Sequence, residues 1–314
     1  MTRADATTLV ASGLGFPEGP VMMPGGGVAV VEVRTGTVTE VAPDGTTRLL
    51  ARPGGGPNGL AWGPDRMLYL CNNGGLGWAP EGDSFRPHGQ APDYEIGRIE
   101  RIDPDTGEVT PLYDRVGDEP LKGPNDIVFA PDGSPSAGGF WFSDLGKNRP
   151  RDRDFGGVYW AASDGSEIVE AAFPVPGGAN GIGLSPDGAV LYVAETETGR
   201  LWAWQVEGPG QLAKERWPSP HGGRLLCQLA HGRRLDSLAV TAEGNVVVGT
   251  LVAGELTTIS PAGEIVDILT LPDPLPTNVC FGGDDMRTAY ITLSLTGQLV
   301  AMRWPEPGLV LPFG

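Results

Sequence analysis

A pattern of polar lead-in, apolar strand, tight turn and second apolar strand recurs six times along the 314 residues, and it limits the possible folds more than any other feature. The copies begin PEGPVMMPGGGVAVVEV at Pro17, PNGLAWGPDRMLYLCNN at Pro57 and PNDIVFAPDG at Pro124. They continue with ANGIGLSPDGAVLYVAET at Ala179, LDSLAVTAEGNVVVGTL at Leu235 and TNVCFGGDDMRTAYITL at Thr277. Within each copy apolar and small residues alternate with period two, as in a strand whose two faces differ. PDG at Pro43, Pro131 and Pro186 suits a tight turn, with Pro presetting φ and Gly accepting positive φ. Further strand pairs follow, as in GRIERIDPDTGEVTPLY from Gly97 and GELTTISPAGEIVDIL from Gly254. Each unit therefore holds about four strands, the content of one propeller blade. A repeat of this kind buries its faces only by stacking on its neighbours. The expectation is an all-β, six-bladed β-propeller forming a single domain over residues 1–314. Pairing of the N-terminal strand around Thr8, Leu9 and Val10 with the last blade would close the ring and leave no long edge exposed.

The interval between the second and third copies is the longest. It contains GGLGWAPEGDSFRPHGQAPDYE, from Gly74 to Glu95, with Trp78, Phe85, His88 and Tyr94. Such a segment is either a lid or binding loop, or a plain surface excursion. As a lid it would offer Trp78 and Tyr94 to a substrate.

With 49 Gly and 30 Pro the composition approaches that of disordered chains, yet these residues fall at regular turn positions between apolar runs. The balance of 22 basic against 39 acidic residues gives a net charge of −17. That field repels phosphate backbones and anionic lipid, so a small-molecule substrate is expected, with no nucleic acid and no membrane as partner. Cys71, Cys227 and Cys280 are odd in number and form no CxxC, which suits free thiols in a reducing compartment. The N-terminal MTRADATTLVASG lacks the apolar stretch of a secretory signal, and no run reaches the roughly 18 apolar residues of a membrane span. A cytoplasmic protein is the expectation. Gly54, Gly56 and Gly59 match a dinucleotide fingerprint but lead into a strand, and no G-x-S-x-G occurs, so those two chemistries find no support.

Aligning the six copies on the residue before the first apolar strand places Glu18, Asn58, Asn125, Asn180, Asp236 and Asn278 in register. Equivalent positions of innermost blade strands converge on the central channel. Asn and Asp favour turns one at a time, but six oxygen-bearing side chains at one aligned position make a ring of ligand atoms. An oxygen-only ring suits a hard cation, and Glu18 with Asp236 would neutralise one divalent ion. Calcium, which tolerates more ligands and looser geometry, is the first expectation; manganese, magnesium and zinc are the alternatives. His88, His221 and His231 lie outside the ring and read as surface or loop residues.

The phrases FPEGP at Phe16, PNGL at Pro57, PNDIVFAPDG at Pro124, NGIGLSPDGAVLYVAET at Asn180 and TNVCFGG at Thr277 resemble, as an ordered set, the SMP-30/gluconolactonase/luciferin-regenerating-enzyme-like family. The resemblance runs from Leu14 to about Trp304. It implies a six-bladed propeller with one catalytic divalent metal in a central metal-binding channel. It further implies that Glu18, Asn180 and Asp236 are ligands, that Asn125 is a fourth ligand or a substrate contact, and that Asp236 also serves as base or nucleophile. Asn58 and Asn278 become channel residues in reach of substrate. The sequence departs from the family in reading Leu235-Asp236-Ser237 where Pro-Asp-Gly is common, and Gly123 where sugar-lactone members often carry Arg.

The activity so implied is opening of a lactone, sugar or more apolar, by metal-activated water with Asp236 as base. Asp144 in FWFSDLGK is a further candidate for the pocket, with a strand-end turn as its plainer role; Lys147 and Arg149 read as solvated charge that could meet an anionic product. The competing expectations are a binding propeller with a structural metal, organophosphate hydrolysis, and lyase chemistry on the same site.

Overall fold

A computed structural model describes residues 7–230 and 232–314; His231 lies outside the described residues. Six antiparallel sheets carry almost all of the strands. The innermost strand of each is Pro17–Met22, Pro57–Trp62, Pro124–Phe129, Ala179–Leu184, Arg234–Val240 and Pro276–Gly282. These are the six copies read from the sequence. From each, three strands step outward in chain order, as in blade three, where Gly139–Asp144, Gly156–Ala162 and Ile168–Val175 follow. The sixth blade takes its outer strand from the other end of the chain: Thr8–Ser12 pairs with Gln298–Arg303, with Thr8 opposite Ala301 and Leu9 opposite Val300. The ring thus closes by pairing rather than by an open edge.

The apolar interior is divided in the same way. Buried side chains fall into six clusters, one at each blade–blade interface. Trp141 and Trp160 of blade three, for example, pack against Trp202, Trp204 and Ile182 of blade four. Strands with both faces buried explain the near-continuous apolar runs such as Phe140-Trp141-Phe142.

Each innermost strand loses register with its partner at its start. The irregularity falls between Glu18 and Val21, Pro57 and Leu60, Pro124 and Ile127, Ala179 and Ile182, Leu235 and Leu238, and Pro276 and Asn278. A bulge re-aims a side chain and ends pairing. Here it does so six times, at the aligned polar residue. Gly19 shows how close the blades come at this level: with φ at +48°, a Cβ there would sit 2.3 Å from the Asn58 carbonyl oxygen.

The 74–95 insertion is not irregular. Leu76–Glu81 and Ser84–Gln90 pair as a hairpin between the second and third strands of blade two. It lies on the face where the innermost strands begin. Trp78 meets Phe16 of blade one edge-on at 5.1 Å, Arg34 of blade one stacks over Phe85 at 4.9 Å, and Ser84 Oγ donates to the Leu295 carbonyl of blade six. At its base the Gln90 amide donates to the Asn148 carbonyl of blade three at 2.9 Å. The hairpin therefore spans the face from blade three to blade six.

At the opposite face the C-terminal segment crosses the channel. Leu309 N donates to Val240 O at 3.0 Å, and Phe313 packs edge-on against Phe129 at 5.6 Å. Beneath it lies an apolar cavity of about 140 Å³, lined by Val21, Leu60, Ile127, Ile182, Leu238 and Val279. The three cysteines are free, and no described helix is long and apolar enough to cross a membrane.

Candidate functional site

The six aligned residues are all buried at the start of their strands. Asn278 Nδ2 donates to Glu18 Oε2 at 2.9 Å, joining blade six to blade one, and the Gly19 amide donates to the same oxygen at 2.7 Å. Asn180 Nδ2 donates to Thr196 Oγ1 at 3.0 Å, which turns its carbonyl oxygen the other way. That oxygen and the Asn125 Oδ1 are both buried with no hydrogen-bond partner. A buried amide oxygen without a donor costs about 1–3 kcal/mol, and two in one place call for an explanation.

A third carboxylate completes the cluster. Asp126 accepts hydrogen bonds from its neighbour Ile127 N at 3.0 Å and from Ile182 N of blade four at 3.2 Å. It also feels the charge of Glu18 of blade one. The sequence reading passed over it. The signal was present: in the matching place blades one, two and four carry Gly19, Gly59 and Gly181, and only blade three carries an acid.

The electrostatics of the three acids agree. Burial, then repulsion from Glu18, pushes the Asp126 carboxyl up to about 7. Burial raises Glu18, against the hydrogen bonds from Asn278 and Gly19. Asp236 is raised well above the carboxylate range by burial and by Glu18, with hydrogen bonding from Asn180 opposing. No Lys, Arg or His pairs with any of the three among the described residues. Buried acids that repel one another, beside two amide oxygens lacking donors, are the environment that a bound cation would relieve. No group of three His, Cys, Asp and Glu suited to a metal occurs among the described residues. The donor set that could hold an ion is mixed: the carboxylates of Glu18 and Asp236 with the amide oxygens of Asn125 and Asn180. Such oxygen donors fit calcium or another hard ion.

The ring is held by a device repeated at the end of each second strand in blades one to four. Glu32 accepts the Gly15 amide at 2.6 Å, Asn72 the Gly56 amide at 3.0 Å, Asp144 the Gly123 amide at 2.7 Å and Glu195 the Gly177 amide at 2.7 Å. Each acceptor ties down the loop that leads into Glu18, Asn58, Asn125 or Asn180. Asp144 was expected as a candidate substrate contact. Its oxygens instead receive the amides of Lys122, Gly123 and Gly146, so it holds the approach to Asn125.

Lys147 is not solvated charge, as its sequence context suggested. It is 2% exposed, and its ammonium donates to Asn73 Oδ1 at 3.0 Å and the Gly75 carbonyl at 2.9 Å, over the Tyr94 ring. Burial, opposed by Asp144 and Asp154, brings it down to about 7. Tyr94 itself donates to the Lys122 carbonyl at 2.8 Å. Trp78 and Tyr94 thus fasten the hairpin to blades one and three. Arg149 pairs with Asp152 and Asp154. His221 is buried rather than at the surface, wedged against Trp202 and Trp204 away from the ring.

Residues 16–294 match the family model described as SMP-30/Gluconolactonase/LRE-like region. A 6-deoxy-6-sulfogluconolactonase of Pseudomonas putida is 31% identical over 177 residues, 55% of this chain and 57% of that relative. The match thus spans little more than half of that relative's length. The gluconolactonase of Zymomonas mobilis is 21% identical over 314 residues, 91% of this chain and 78% of its own. Among solved structures, regucalcin of Agrobacterium tumefaciens, a calcium-binding protein, superposes with a TM-score of 0.70 at 18% identity, covering 95% of each chain.

Proposed function

Since the chain belongs to the SMP-30/gluconolactonase/LRE-like family, we propose that it is a metal-dependent hydrolase that opens a small-molecule lactone over the polar ring of its channel. The observation that carries this reading is the pair of donorless Asn125 and Asn180 oxygens beside the mutually repelling Glu18, Asp126 and Asp236. The relatives' names supply the substrate class.

Glu18, Asn125, Asn180 and Asp236 would hold the ion, calcium first. When bound it supplies Lewis acidity toward a lactone carbonyl and a water. The protein supplies the rest. Asn278 and the Gly19 amide fix the Glu18 carboxylate, and Thr196 fixes the face that Asn180 presents. Asp236 accepts the proton of the attacking water as its oxygen adds to the carbonyl carbon. The ring C–O bond then breaks, and the same proton passes from Asp236 to the departing alkoxide, leaving a hydroxy acid. Asn58 and Asn278, at the aligned positions of blades two and six, would orient the substrate. The hairpin Leu76–Gln90 acts as a lid that excludes bulk water while this proceeds.

A pH-drop assay over sugar, aliphatic and aromatic lactones tests the proposal. It uses EDTA-stripped protein with calcium, manganese, magnesium or zinc restored, beside Asp236→Ala. Turnover that needs the metal and falls at least about a hundredfold in the variant is expected. Metal binding without turnover on any lactone would overturn it in favour of a binding propeller with a structural metal.

A further inference from the structure

The loop joining the second and third strands of blade three, residues 145–155, walls the same face of the channel as the hairpin. It is stapled from within: Arg149 takes both oxygens of Asp154 at 2.9 Å, the Asp154 amide donates to the Lys147 carbonyl at 2.9 Å, and Asn148 bridges Arg153. Lys147 anchors it to the hairpin base. This order presents Arg153, with Leu145 beside it, toward blade four. Its Nη2 lies where a Cβ on Gly178 would come within 2.8 Å, so glycine with φ at +86° leaves the room that the guanidinium fills. Gly178 is two residues ahead of Asn180.

Arg153 is half-buried, and among the described residues no carboxylate pairs with it. The nearby acids Asp152 and Asp154 are engaged by Arg149. Its Nε donates a long hydrogen bond to the Asp154 carbonyl at 3.4 Å. In a chain of net charge −17 an arginine held on the rim of a site without an acid is conspicuous. A guanidinium so held has its fork free for a planar or tetrahedral oxyanion.

We propose that Arg153 is the specificity residue of this site and that the lactone it admits carries a second, acidic group: a carboxylate, sulfonate or phosphate. The proposal rests on the lactone reading of the channel.

Calorimetry on the full, calcium-loaded chain tests it with ring-opened acids, which bind without turning over. Gluconate is compared with glucarate, 6-deoxy-6-sulfogluconate and 6-phosphogluconate, so that the three acidic groups are told apart. The wild type should bind at least one of the three about tenfold or more tighter than gluconate. Arg153→Gln should erase that preference, Arg153→Lys should keep part of it, and Arg151→Gln, an exposed neighbour losing the same charge, should keep it whole. No preference in the wild type, or equal loss in Arg151→Gln and Arg153→Gln, overturns the assignment. Lactone turnover measured alongside separates the two readings. Turnover without acid preference sinks only the role of Arg153; acid preference without turnover sinks only the hydrolase.

Discussion

Asp126 and Lys147 show what a single residue's surroundings do to its chemistry. Both are ionisable, both are buried, and burial moves them toward each other on the pH scale, one up and the other down to about 7. Neither environment was legible in the sequence, for the same reason, although the acid of blade three stands where blades one, two and four carry glycine. Asp126 acquires its environment from blades one, four and five, and Lys147 acquires its own from the hairpin of blade two, so no local pattern foretells either. Lys147 carries a prediction with a definite sign. Its ammonium loses its proton in the fold near pH 7 and in the unfolded chain near the ordinary lysine value of 10.5. Between those values the unfolded state binds the extra proton, so stability rises with pH across the window and is lost as pH falls toward 7. Urea melts of the wild type against Lys147→Met, at intervals from about pH 7 to about pH 10, should show the wild type gaining on the variant as pH rises. Parallel curves would mean that the buried amine keeps its charge throughout. Asp144 and Asp154 are the carboxylates opposing the shift, and Tyr94 is the ring beneath it.

At the scale of elements, the six innermost strands were readable because each repeats its own period and turn chemistry. The ring of oxygen-bearing residues came with them, since the strand register is interrupted at or beside the same aligned position in all six blades. The hairpin was not readable as a hairpin. LGWAPEGDSFRPHGQ is rich in Gly and Pro, poor strand formers, and its order comes from contacts with blades one, three and six. Trp78 makes the ring-to-ring contact among them. An aromatic pair such as Trp78 with Phe16 adds about 0.5–1.5 kcal/mol beyond the area it buries. Trp78→Ala should therefore loosen the hairpin while leaving the blades intact. Hydrogen exchange should rise several-fold across 76–90 with the rest unchanged, and KM for a turned-over lactone should rise more than kcat falls. Exchange that stays slow would show that Lys147 and Ser84 hold the hairpin without Trp78.

As a whole molecule the protein is six small cores arranged in a circle, closed by one strand from the N-terminal end. The ring of polar residues exists only while the circle is closed, since Glu18 and Asn278 meet across the closing interface. Leu299, fully buried in the cluster that joins the last blade to the first, tests this directly. Leu299→Ala should cost about 2–5 kcal/mol of stability, as deletions of buried leucine do. Added calcium should recover part of that loss, because a ligand bound only by the closed ring stabilises it by mass action. A calcium response equal in the folded and the thermally unfolded chain would place the ion elsewhere.

The central claim is that one hard divalent ion sits among Glu18, Asn125, Asn180 and Asp236. Calcium titration of the EDTA-stripped chain by calorimetry addresses it most directly, beside Glu18→Gln, Asn180→Leu and Asp236→Asn. One site per chain is expected, with affinity rising with pH, because the raised Glu18 and Asp236 carboxyls must lose their protons to solvent before they can hold the ion. Each variant should weaken binding at least about tenfold. Calcium affinity indifferent to all three substitutions, or no saturable binding of calcium, manganese, magnesium or zinc, would contradict it.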